Sequence, residues 1–146
     1  MLKQRFEKYF SVDEANELIP RLEAAVRELQ AQTAILRKQL AQLAASDSQA
    51  RTSEGEPGDL EKIIQRHPEL RELTEQIAGL AAQIEDYGCF LKDIDLGLVD
   101  FPTELGNEIV FLCWQFGERQ ISAWHSIDGG FSSRRPISGA PKPYLN

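Results

Sequence analysis

The chain has 146 residues, 42% hydrophobic and 27% charged, the size and make-up of one soluble globular domain. Its net charge of −7 excludes the basic surface that non-specific nucleic-acid binding or an anionic membrane would require. No apolar run approaches the roughly 20 residues that span a bilayer, and "MLKQRFEKYFSVDEANEL" lacks the continuous apolar core of a secretory signal, so a cytoplasmic protein is expected. In that compartment Cys89 and Cys113 are thiols. Two cysteines are too few for a disulfide framework, and tetrahedral zinc needs more ligands at close spacing.

Ser11-Val12-Asp13-Glu14 reads as a capping box, with the Ser11 hydroxyl accepting from the Glu14 amide and the Glu14 carboxylate from the Ser11 amide. A helix is expected over 12–45. Ala15, Ile19, Leu22, Val26, Leu29, Thr33, Leu36, Leu40 and Leu43 alternate steps of four and three, a coiled-coil-like heptad seam. Thr33 is its polar member. Pro20 lacks the amide that would bond the Asn16 carbonyl, so a kink or short break is expected there. "SDSQARTSEGEPGD" cannot bury itself and reads as a flexible loop over 46–58. A second helix follows over 59–87. Asp59 suits its cap, and Pro68 suits the first turn of a renewed segment after His67. Leu70, Leu73, Ile77, Leu80, Ile84 and Tyr87 repeat the spacing, and Gly88 stops the helix. Two such helices fold back as an antiparallel hairpin whose apolar stripes still need the rest of the chain, or a second copy, to cover them.

After Gly88 the period shortens. Short strands are expected over 89–92, 98–101, 108–114 and 120–125, joined by Gly-bearing connections. Ile109, Phe111 and Cys113 alternate with Val110, Leu112 and Trp114, so the third strand is apolar on both faces and suits a central position. The result is an α+β chain of one domain, 1–146: a helical hairpin, a small antiparallel β-meander over 89–125, and a tail over 126–146. Gly, Ser and Pro in that tail argue against regular structure.

Two groups of residues carry chemistry. From Glu85 to Glu108 seven acids (Glu85, Asp86, Asp93, Asp95, Asp100, Glu104, Glu108) stand against one base, Lys92, nearly the whole net charge of the chain. Crowded carboxylates raise one another's pKa unless a cation sits among them. Asp93, Asp95 and Asp100 are therefore candidate ligands for a divalent metal or a cationic group. The plainer alternative is a turn at Asp93 and Asp95, with Asp100 facing solvent. The second group is "AWHSIDGGFSSRR". His125 serves as base or metal ligand, Asp128 stands three residues on to orient it, and Arg134 and Arg135 suit a carboxylate or phosphate. The plainer alternative is a strand-end His bonded to backbone and Arg residues paired with the acids. Hairpin topology can bring His125 near the acids of the first two strands. Cys113, beside Trp114 on a buried strand, reads as core. No Gly-rich phosphate loop, nucleophile elbow or H-E-x-x-H occurs.

"YFSVDEANELIPRL", "GCFLKDIDLGLVDFP" and "VFLCWQFGERQISAWHSIDGGFSSRRPI", in that order, resemble a family of small, mostly bacterial proteins, domain of unknown function 2203. The resemblance implies one fold for hairpin and meander and carries over no catalytic residue.

Two functional readings stand. In the first, an interaction protein without catalysis self-associates as a homodimer or docks a partner helix through Leu22, Leu29, Leu36 and Leu40. In the second, Asp93, Asp95, Asp100, His125, Asp128, Arg134 and Arg135 surround a small ligand or divalent metal, with Asp93, Asp95, Asp100 and His125 as metal candidates. No cofactor beyond such a metal is indicated, and the first reading ranks higher.

Overall fold

The computed structural model describes residues 6–47 and 58–137. The chain is α+β: a long helix, shorter helices, then a five-stranded antiparallel meander. The helices are α1 (Val12–Ser46), α2 (Leu60–Arg66) and α3 (Arg71–Asp86), with a 3-10 turn at Pro68–Leu70 before α3. The strands are β1 (Phe90–Asp93), β2 (Leu98–Leu105), β3 (Glu108–Gln115), β4 (Ala123–Ser126) and β5 (Arg135–Pro136). No helix among the described residues is long and apolar enough to cross a membrane. The chain forms two compact units: Met1–Val26 with Ala82–Asn146, and Arg27–Ala81.

In the first unit the capping box forms as expected. The Ser11 amide donates to Glu14 Oε1 at 2.9 Å and the Glu14 amide to Ser11 Oγ at 3.1 Å. Helix α1 runs on through Pro20 without the expected break. Ile19 and Leu22 on either side are buried. Each contributes about 1.5–3 kcal/mol, enough to offset the ~3 kcal/mol of an interior proline. Pro20 itself is exposed. Gly88, at φ 100, ends α3 as expected.

The strands pair in chain order, β1-β2-β3-β4-β5, so β3 is the middle strand, as its two apolar faces require. Val99, Phe101, Leu112 and Trp114 are fully buried. Strand β2 runs four residues further than expected, through Pro102 to Leu105. Beyond the end of β1 the segment before α1 lies along it: the Phe10 amide donates to the Pro102 carbonyl at 2.8 Å, and Thr103 Oγ1 to the Phe10 carbonyl at 2.6 Å. The β2–β3 connection is two residues, Gly106 and Asn107, between the paired Leu105 and Glu108. Gly106 has φ 61 and Asn107 no positive φ, the pattern of a type II′ hairpin turn.

The tail departs from expectation. It contains a 3-10 turn at Phe131–Ser133 and the two-residue strand β5, which pairs with β4 through Ala123↔Pro136 and Trp124↔Arg135. An edge strand tolerates proline because its outer side needs no amide. Residues 138–146 lie outside the described residues.

In the second unit Leu36, Ile63, Ile64 and Leu70 form a core, with Leu40, Leu43, Leu73 and Ile77 against it. Leu29 is fully buried. Thr33 is buried too, and its Oγ1 has no partner among the described residues. The second helix divides at His67, where Pro68 restarts the chain as a 3-10 turn. The Asp59 side chain caps α2 by accepting from the Lys62 amide at 3.2 Å. Asp47, after α1, accepts from Arg66 Nη2 at 3.0 Å and lies 3.0 Å from His67 Nε2. Of the loop expected over 46–58, Ser46 is the last residue of α1, and residues 48–57 lie outside the described residues.

The heptad seam is therefore taken up inside the chain. Leu22 and Leu29 are fully buried, Leu36 is nearly so, and Leu40 packs on the core of the second unit.

Candidate functional site

The site lies on one face of the meander, and strand register builds it. Asp100 on β2 is directly opposite Cys113 on β3. His125 on β4 is opposite Phe111, two residues before Cys113 and so on the same face. Asp100, Cys113 and His125 thus come from three adjacent strands, and all are at most 3% exposed. One carboxylate oxygen, the Cys113 sulfur and one imidazole nitrogen lie within 4.8 Å of one another.

The hydrogen bonds fix the imidazole. His125 Nδ1 is 2.8 Å from the Ser126 carbonyl oxygen, which only accepts, so Nδ1 carries a hydrogen and donates it. His125 Nε2 is 3.0 Å from Asp100 Oδ2. A carboxylate oxygen and a bare imidazole nitrogen would repel at that distance, so one proton lies between them. Remove that proton, and the Nε2 lone pair faces Asp100 Oδ2, with the Cys113 sulfur within 4.8 Å of the same group of donors. A backbone carbonyl holding the far nitrogen is the usual support of a metal-binding histidine.

Cys113 is a protonated thiol. Burial first, and the Asp100 carboxylate second, push its pKa up to about 12, against the opposing pull of Arg134. Such a thiol is no nucleophile near neutral pH. Cys89 is likewise pushed up to about 12, chiefly by burial.

One aromatic ring lies against the imidazole, with two more packed behind it. Phe111 meets His125 at 5.6 Å between centroids, and Phe6 meets both Phe90 and Phe111 at 5.6 Å. Lys92 Nζ stands 4.9 Å from the Phe111 centroid.

The other residues singled out in the sequence lie elsewhere. Asp93 Oδ1 accepts from the Leu96 amide at 2.9 Å, so Asp93 builds the β1–β2 turn. Asp95 is exposed. Asp100, by contrast, is buried rather than solvent-facing. Asp128 is exposed, and the His125 ring bonds to Asp100 and the Ser126 carbonyl instead. Arg134 pairs with neither Asp93 nor Asp100. Its Nη2 donates to the Glu118 carboxylate at 2.9 and 3.0 Å and to the Cys113 carbonyl at 3.0 Å. β4 begins only opposite Cys113, so Arg134 takes up a carbonyl at the limit of that pairing. Arg135 is exposed, its guanidinium 5.4 Å from the Trp124 ring centroid.

Cys113 is the site residue that sequence reasoning set aside as core. The signal that would have found it is the two-residue turn at Gly106-Asn107. Counting back from that turn puts Asp100 opposite Cys113.

Neither a curated protein nor a solved structure matches the chain. A family model described as "Uncharacterized conserved protein (DUF2203)" matches residues 8–137, most of the sequence, and the chain belongs to that family.

Proposed function

We propose that this protein binds a divalent metal ion through Asp100, Cys113 and His125. The observation that carries the reading is the approach of three different donor atoms, from three strands, to within 4.8 Å in a buried place. Buried carboxylates and imidazoles are costly unless paired or ligating, and these two share one proton beside a thiol. An ion there replaces the shared proton and the thiol proton, both of which leave to solvent. Two positive charges then face a carboxylate, a thiolate and a neutral imidazole, so the buried site stays neutral.

This reading keeps Asp100 and His125 from the sequence-derived candidates and adds Cys113. The burial of Leu22, Leu29 and Leu36 inside the chain favours it over self-association through the seam.

The test is thermal unfolding of reduced, chelator-stripped protein with added Zn2+, Co2+, Mg2+ or Ca2+. A ligand at a hundred times its Kd stabilises by about 2.7 kcal/mol. At least one ion should raise Tm in the parent and fail to do so in Asp100→Asn. That variant keeps a neutral hydrogen bond to His125, so it folds while losing a charged ligand. No shift in the parent, or an equal shift in Asp100→Asn, ends the proposal.

A further inference from the structure

We infer that the ion is a thiophilic one of the zinc class, held by one oxygen, one nitrogen and one sulfur, and that magnesium and calcium are not its natural occupants. This rests on the metal reading and names the ion for that same site. Hard cations require oxygen: calcium takes six to eight oxygen ligands, and magnesium a near-octahedral set that is slow to lose water. Asp100 is the one carboxylate of the trio, and the other two donors are an imidazole and a sulfur. Zinc and its neighbours take this mixture in tetrahedral sites, with bonds of about 2.0–2.3 Å.

The spacing suits such an ion. Tetrahedral bonds of that length put donors roughly 3.3–3.8 Å apart. The three donor atoms, all within 4.8 Å, need close by only about 1 Å. The outer contacts already face the right way. Nδ1 of His125 is occupied by the Ser126 carbonyl, leaving Nε2 for the ion. Arg134 Nη2 donates to the carbonyl of Cys113 and so steadies the backbone behind the sulfur. Zinc was set aside in the sequence by counting cysteines alone; here one cysteine is joined by a carboxylate and an imidazole. Three protein donors leave a fourth position, as in sites where zinc keeps a water or another exchangeable group.

The deciding experiment is titration of the reduced, chelator-stripped full-length protein with Co2+, followed by challenge with other ions. One Co2+ per chain should bind and give a thiolate-to-cobalt charge-transfer band. Cys113→Ser should lose that band, and its affinity for zinc should fall by more than the roughly 10–100-fold typical of outer-shell changes. Zn2+ should displace the cobalt at equimolar amounts, and a thousandfold excess of Mg2+ or Ca2+ should not. Cobalt bound without the band, or displaced by magnesium or calcium, overturns the zinc-class assignment and leaves the metal site standing. Failure of all four ions to bind overturns the metal reading itself.

Discussion

Replacing His125 by alanine strands a carboxylate inside the sheet. Asp100 is 3% exposed, and it faces His125 Nε2 at 3.0 Å with the Cys113 thiol as a second, weaker donor. Removing one member of a buried pair costs about 3–5 kcal/mol, because the survivor stays desolvated without its charged partner, here with only the weak thiol donor left. Asp100→Asn is different. With Nδ1–H committed to the Ser126 carbonyl, neutral His125 presents a bare Nε2, and the Asn amide donates to it. Trading a charge-assisted bond for a neutral one costs about 1 kcal/mol. The two single variants should therefore separate by about 2–4 kcal/mol. For a chain of this size, with a urea slope of about 1.5 kcal/mol/M, that is a midpoint difference of roughly 1.3–2.7 M. The assay is urea unfolding in chelator, so that no ion contributes. Adding Asp100→Asn to His125→Ala should recover part of the loss, since a neutral amide replaces the stranded charge. Equal midpoints for the two single variants, or no recovery in the double variant, would show that water reaches Asp100 and that the pair is not the buried unit described above.

Leu29→Asp should unfold the chain instead of releasing a folded monomer, because Leu29 is fully buried. Circular dichroism and size-exclusion together check this, and a folded, smaller species would restore the seam as an assembly face. Ser11→Ala removes one half of the capping box and should cost about 0.5–2 kcal/mol in urea unfolding; no loss would mean the cap contributes nothing. Stability should also fall as pH climbs from near 9 toward 12. Both thiols have raised folded pKa values, so their contribution is complete below the ordinary value of 9.0 and lost as pH approaches about 12. Urea midpoints at intervals across that range should fall less steeply when both cysteines are replaced by alanine. An unchanged slope would refute the cause.

The local signals were legible because their causes are local. The capping box, the Pro68 restart, the Gly88 stop and the apolar alternation of β3 each depend on residues within a few positions of one another. The extension of β2 past Phe101 was missed because Pro102 argues against a strand interior; the strand nevertheless pairs with β3 from Pro102↔Phe111 to Leu105↔Glu108, while the Pro102 carbonyl takes the Phe10 amide on its other side. Nor was β5, whose two residues become a strand only because β4 offers them an edge. Pro20 misled for a related reason: backbone chemistry predicts a break, and the burial of Ile19 and Leu22 overrides it. At the site, Asp100 and His125 were visible as residues that carry chemistry. Which of the acids meets the histidine was not, because acid spacing says nothing about which face a strand residue takes. Register decided it for Asp100, which it places inward, whereas Asp95 and Asp128 lie in turns outside the strands and are exposed.

Pairing in strict chain order also keeps the contacts of the sheet local in sequence. The contact between Asp100 and His125 closes a separation of 25 residues, and that between Thr103 and Phe10 one of 93. Loop-closure entropy rises with length, so the meander can form while the start of the chain is still loose. Phe6, which ends up against Phe90 and Phe111, arrives with that start. A refolding chain can therefore complete its meander before Phe6 closes over Phe90 and Phe111.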